Sequence, residues 1–370
     1  MLLFRVGENV DYAYSNRVRQ LFRILTETRL KRAHVPIAMN TADPAPFDKK
    51  SKSTLYESIL IPTDGSNALP PAIRHGVSLA HAYAATVHVL RIVEDVSHLG
   101  GTAVFSPSER NTWEEAAAIE PVMDAAHTLG LNVIPSIGHG SPPDVILNYI
   151  EENNIDLMVL GTHGRTGLAR YLHGSTSEQL VRNAPVPVLT VKEDRSTFPD
   201  WQSFGDQTRY TEILVPTDGC DEASVALEHG VEIASQYDAT LHGLFVVDHR
   251  TYTSRPGFTW QEAKESWEQR GRRVLMQVAE KAETVNLDVR ITLTHGNPRK
   301  EILEYATEND IDFIAMGTRG LTGVSRFLQG SVATGVVRAA DVPVLTTNST
   351  AVQLKQYPVH SPRSASSITE

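Results

Sequence analysis

The chain repeats itself at the scale of a whole domain. Tyr56-Glu57-Ser58-Ile59-Leu60-Ile61-Pro62-Thr63-Asp64-Gly65 returns as Tyr210-Thr211-Glu212-Ile213-Leu214-Val215-Pro216-Thr217-Asp218-Gly219. Asp64 and Asp218 lie 154 residues apart, and Gly161 and Gly317, in a second shared motif, lie 156 apart. A period of this size duplicates complete folding units and excludes a solenoid of short repeats. The 370 residues are enough for two such units, each with its own core.

Within each copy, short apolar runs alternate with helical patterns. The runs are Ile59–Ile61, Thr86–Val93, Leu131–Ile137, Asp156–Leu160 and Val186–Thr190 in the first copy, matched by Ile213–Val215, Thr240–Val247, Leu287–Leu293, Asp312–Met316 and Val342–Thr346 in the second. Alternation of this kind predicts an α/β fold, two tandem doubly wound parallel five-stranded sheets. Pro187 and Pro343 confine the last strand of each copy to a sheet edge or to its own first residues. Ser141 and Asn297, each followed by proline, predict capped helix starts. The expected domains are 54–193 and 210–348, joined by a polar linker at 194–209 and followed by a disordered Ser/Pro/Thr-rich tail at 349–370. Residues 1–53 resemble neither copy and are expected to be disordered or to form a short basic amphipathic helix, with Met39 as an alternative start.

The second motif carries the chemistry. Gly161-Thr162-His163-Gly164 is followed by Gly174-Ser175-Thr176, and Gly317-Thr318-Arg319-Gly320 by Gly330-Ser331-Val332. Each follows an apolar run, so the glycines fall where a strand ends. Backbone N–H groups freed of side chains can approach an anion there, and the Gly-Ser pair opens a helix whose N-terminus favours phosphate. The plainer alternative is a pair of turns copied with everything else. Pro-Thr-Asp-Gly also stands at a strand end, and ligands of open parallel sheets bind at such ends, beside the switch in strand order.

Composition narrows the partners. A formal net charge of -10 argues against a nucleic-acid wrapper. The single cysteine, Cys220, excludes an internal disulfide, and no Cys/His cluster has zinc spacing. No apolar run is long enough for a membrane span and the first residues lack a secretory signal, so a cytoplasmic location is expected. Cys220 stands where Ser66 stands in the first copy, and no neighbouring cation is visible to activate it; it reads as a small filler.

On these residues the chain resembles a tandem universal stress protein, over 55–192 and 210–347. Both copies satisfy the Gly-x2-Gly-x9-Gly-Ser/Thr pattern of that family's ATP-binding subclass. The resemblance implies ATP, with Mg or Mn on the phosphates, and an adenine-nucleotide alpha-hydrolase-like, Rossmann-like fold. It places Asp64 and Asp218 on the nucleoside, with Pro62, Thr63, Pro216 and Thr217 lining the same pocket. Ile92, Leu160, Val246 and Met316 would form the apolar seat of the base. Gly161, Gly164, Gly174, Ser175 and Thr176, with Gly317, Gly320, Gly330, Ser331 and Val332, would hold ribose and phosphates. No residue is assigned to the metal or to catalysis. His163 and Arg165 in one copy, against Arg319 and Leu321 in the other, supply cations from different places.

Family members dimerise through the last strand, so the two copies are expected to pair within the chain, with a further homodimer open. An exposed edge strand seeks such a partner. The favoured function is a nucleotide-dependent stress-response module. A slow ATPase, or an adenylyl- or phosphoryl-transfer enzyme, is the alternative, though the sequence holds neither a Walker Gly-Lys-Ser/Thr run nor a Gly-x-Gly-x-x-Gly fingerprint. A scaffold with degenerate sites is a third reading.

Overall fold

The computed structural model describes residues 55–63, 71–93, 119–161, 175–192, 210–248, 260–318 and 331–348. In the first copy the elements are β1 (Ser58–Thr63), α1 (Pro71–Tyr83), β2 (Thr86–Val93), α2 (Glu120–Thr128), β3 (Val133–His139), α3 (Pro142–Glu152), β4 (Leu157–Gly161), α4 (Ser175–Asn183) and β5 (Val188–Val191). The second copy repeats them as β6 (Glu212–Pro216), α5 (Asp221–Tyr237), β7 (Thr240–Val247), α6 (Trp260–Glu283), β8 (Val289–His295), α7 (Pro298–Glu308), β9 (Phe313–Gly317), α8 (Ser331–Ala339) and β10 (Val344–Thr347).

All pairings inside each copy are parallel, in the order 3-2-1-4-5 and its equivalent. The chain thus turns back between β1 and β4, and again between β6 and β9, leaving a crevice at the carboxyl end of each pair. The two halves then fuse. β5 and β10 pair antiparallel, with Val344 opposite Thr190 and Thr346 opposite Val188, giving one sheet of ten strands. Thr190 Oγ1 donates to the Val344 carbonyl and Thr346 Oγ1 to that of Val188, so the seam is doubly tied. Both seam strands begin just after their prolines rather than including them, because proline has no N–H for the ladder. Strands β3 and β8 also run two residues later than periodicity predicts, ending at His139 and His295, just before Gly140 and Gly296.

Strand alternation divides the core. On one face a continuous apolar cluster crosses the seam, running from Ile59, Ile61, Val87 and Val159 through Leu189 and Leu345 to Ile213, Val215, Leu241 and Ala315. The opposite face holds a separate cluster in each copy, around Leu60, Ile146 and Leu160 in one and Leu214, Ile302 and Met316 in the other. Apolar burial on the shared face adds to the backbone seam in holding the halves together.

The matched histidines of α1 and α5 lie on that shared face. His75 Nδ1 is 2.8 Å from the Tyr210 hydroxyl, and His229 Nδ1 is 2.6 Å from the Tyr56 hydroxyl. Each ring stacks on its tyrosine, and all four residues are buried. Gly76 and Gly230, next in sequence, let the helices approach the sheet: a Cβ would come within 2.7 Å of Ile61 in one case and 2.6 Å of Val215 in the other. The His-Gly pairs are therefore structural. Beyond them, Asn348 Nδ2 donates to the Val181, Arg182 and Ala184 carbonyls at the end of α4. At the position equivalent to Asn348, Lys192 instead makes a 2.5 Å ion pair with Asp341.

The helix starts at Gly140 and Gly296 differ from expectation in one respect. Asn297 caps α7 by accepting from the Lys300 N–H, whereas the Ser141 side chain makes no capping bond at α3. Pro142 and Pro143 have already removed two donors from that first turn, so less remains for a cap to satisfy.

Candidate functional site

The second crevice is described most fully. β6 ends at buried Pro216, and half-buried Thr217 follows, its N–H donating to the Leu244 carbonyl of β7. The chain then turns tightly. Thr217 Oγ1 accepts from the Gly219 N–H and Asp218 Oδ1 from the Cys220 N–H, while Gly219 takes φ +77°, which a side chain would strain. Cys220 is the N-cap of α5, its Sγ accepting from the Ala223 N–H. Burial and the neighbouring Asp218 push the Cys220 thiol up to about 12, so it stays protonated and unreactive.

Helix α6 braces this turn from above. Arg270 directs both Nε and Nη2 to the Asp218 carbonyl, at 3.4 Å each, and Val274 packs where a Cβ on Gly219 would sit. Nothing in the sequence pattern singles out Arg270: its role depends on where a helix of 24 residues lands.

β9 reaches the same place from the other side. A Cβ on Gly317 would lie 2.9 Å from the Ala223 nitrogen and from the Glu222 carbonyl carbon, both backbone atoms of the first turn of α5. Missing its side chain, Gly317 lets that turn close over the strand end. Thr318 N–H donates to the Thr347 carbonyl, and Thr347 Oγ1 donates to the Glu222 carbonyl. The Asp218 turn and the start of the glycine motif are thereby locked together. Met316 is buried just before it, and Val246, at the end of β7, is half-buried.

Two helices begin in this crevice and differ in charge. Asp221 and Glu222 occupy the first turn of α5, so its positive end is already neutralised. The first turn of α8, which starts at Ser331 and Val332, has no acidic residue. Only α8 offers an uncompensated N-terminus to an anion.

In the first copy the structure brings Pro62, buried Thr63, Ile92, Leu160 and Gly161 to one end of the sheet, with Thr63 in register with Arg91 and Gly161 with Val191. Ser175 and Thr176 open α4. Asp64, Gly164, Gly174, Gly320 and Gly330 lie outside the described residues, as do His163, Arg165, Arg319 and Leu321. Among the described residues, no group of three or more His, Cys, Asp or Glu side chains could hold a metal ion. Nor is any of the described helices long and apolar enough to cross a membrane.

This architecture, a parallel α/β sheet in each copy whose strand order reverses between its first and fourth strands, defines a doubly wound, Rossmann-like class of protein. Residues 55–192 and 209–348 each match the universal stress protein family, and the chain belongs to that family. A universal stress protein of Methanocaldococcus jannaschii, MJ0531, is 36% identical over 137 residues, spanning 37% of this chain and 81% of the relative. A second from that organism, MJ0577, is 27% identical over 161 residues, 39% of this chain and 99% of its own length. Each of these relatives corresponds to about one copy. Among solved structures, a universal stress protein from Archaeoglobus fulgidus superposes with a TM-score of 0.55 at 22% identity, covering 80% of this chain and 98% of that one. At that identity the likeness speaks to the fold.

Proposed function

We propose that each copy binds an adenine nucleotide, ATP with a divalent cation on its phosphates, and that the protein is a nucleotide-dependent stress-response module. The observation that supports this reading is the junction of Gly317, the first residue of the glycine motif, with the first turn of α5, which sets that strand end beside the Asp218 turn. A carboxylate beside a strand end suits ribose hydroxyls or the adenine amine and would repel phosphate. The phosphates would go to the glycine motif and the acid-free N-terminus of α8. Met316 and Val246 offer an apolar seat for the base, and Leu160 and Ile92 do so in the first copy. Mg or Mn would be carried in by the phosphates, since no protein cluster is assigned to it.

The test is calorimetric titration of the full chain with ATP and Mg, alongside mass spectrometry of any nucleotide released on denaturation. Two equivalents should bind. Asp64→Ala and Asp218→Ala should each weaken one of them by ~10-fold or more, the usual value of a charge-assisted hydrogen bond. No uptake by the wild-type chain would sink the reading and leave a scaffold. Phosphate release measured in the same samples reports on the transfer-enzyme alternative.

A further inference from the structure

An open ten-stranded sheet has two outer edges, and in this molecule they are β3 and β8. Which backbone groups face outward follows from the hydrogen bonds at their ends. The Asp288 carbonyl accepts from Leu241 N–H, and Gly296 N–H donates to the Val247 carbonyl, so even-numbered residues of β8 turn toward β7. Val289, Ile291, Leu293 and His295 therefore present their N–H and C=O groups away from the sheet. The same reasoning applies to β3, where the Asn132 carbonyl accepts from Val87 N–H and Gly140 N–H donates to Val93. There the outward row is Val133, Pro135, Ile137 and His139.

The two edges differ at their centres. Pro135, with no N–H to donate, stands where β8 has Ile291. Proline on an edge strand prevents further pairing. At β8 nothing does. Ile291 is 46% exposed, and it is one of only three exposed large hydrophobic residues among those described; the others, Met276 on α6 and Val285 just after it, belong to the same end of the sheet. The positions equivalent to Ile291 and Met276 in the first copy are Pro135 and Glu120. Among the described residues, one copy thus blocks its edge with a proline and a charge, and the other carries no proline there and exposes Ile291 and Met276.

We infer that β8 is a dimerisation edge, at which a second copy of this chain pairs antiparallel about a two-fold axis through Ile291. In that register Ile291 faces its own equivalent and Val289 faces Leu293, so the residues on the α6 side form an apolar row. Arg290 faces Thr292 of the second copy, and its charge is offset by Glu212, 4.0 Å away. A single open edge favours a second copy over an extended fibre, because self-pairing uses it up and Pro135 stops growth at the far end. The molecule already joins its two halves in this way at β5 and β10.

Sedimentation and light scattering of the full chain should give twice the 40.7 kDa monomer mass at concentrations up to ~100 μM, a range suited to a small interface. Ile291→Pro, which removes the central donor, and Ile291→Lys, which keeps it but replaces the apolar contact with like charges, should both give monomers with unchanged circular dichroism. Ile291→Cys in a Cys220→Ser background should form an intermolecular disulfide on mild oxidation, because hydrogen-bonded antiparallel partners sit ~5.5 Å apart at Cα. A monomeric wild type overturns the inference, as does a dimer that survives Ile291→Lys or a dimeric cysteine variant that fails to cross-link.

Discussion

Single residues in this protein show how one amino acid can serve opposite ends. Gly317 and Gly335 are both glycines in the second copy, yet their neighbours differ. A methyl group at Gly317 would press on the backbone of α5, which cannot move without opening the crevice; at Gly335 the nearest atoms it would meet belong to the Arg299 side chain, whose Cδ is 2.5 Å from the Cβ position. Arg299 is exposed and can swing away. Gly317→Ala should therefore destabilise by about 1–3 kcal/mol, the usual cost of overpacking. Gly335→Ala should lie between neutral and stabilising by up to ~1 kcal/mol, because alanine is the better helix former. Urea unfolding of the two variants would check the difference in sign.

At the scale of elements, the contribution of α6 is the one that pattern reading could not supply. The turn at Thr217–Cys220 was readable as a strand end, and its Asp and Gly as turn chemistry. That an arginine from a helix some fifty residues on would hold the Asp218 carbonyl was not, since helix periodicity says which face is apolar and nothing about what the polar rim touches. Replacing Arg270 by Met should raise amide exchange at Gly219 and Cys220 by ~3–10-fold, in keeping with the loss of a modest hydrogen bond. Exchange in the body of α5 should not change. Equal acceleration throughout α5 would show that the brace acts on the whole helix and not on the turn.

For the whole molecule, two buried histidines, His75 on the shared face and His88 on the other, link stability to pH. Burial, with Arg74 adding to it, holds His75 down to about 3; burial holds His88 to about 4 despite the opposing pull of Asp156. Both are neutral in the folded protein and titrate near 6.5 once unfolded. Between those values the unfolded chain binds more protons, so stability is complete above about pH 6.5 and falls as the pH drops toward 4. The slope should approach ~1.4 kcal/mol per pH unit for each histidine. Unfolding measured from pH 7 to 4 should show it, and His75→Gln should lower the slope by about one proton. An unchanged slope would mean that His75 takes up its proton while folded.

The sequence by itself determined the duplication, the strand and helix order and the strand ends at which Pro-Thr-Asp-Gly and the glycine motif fall, because these depend on local periodicity and turn chemistry repeated twice. It also predicted the pairing of the two copies through their last strands. Tertiary structure alone decided that His75 and His229 reach tyrosines of the opposite copy, that Gly317 is bare to admit the first turn of α5, and that Pro135 and Ile291 fall at the centres of the two outer edges with their backbone groups facing outward. Those outcomes depend on contacts between residues far apart in the chain, and on which way each backbone group faces, and neither is encoded in any local pattern.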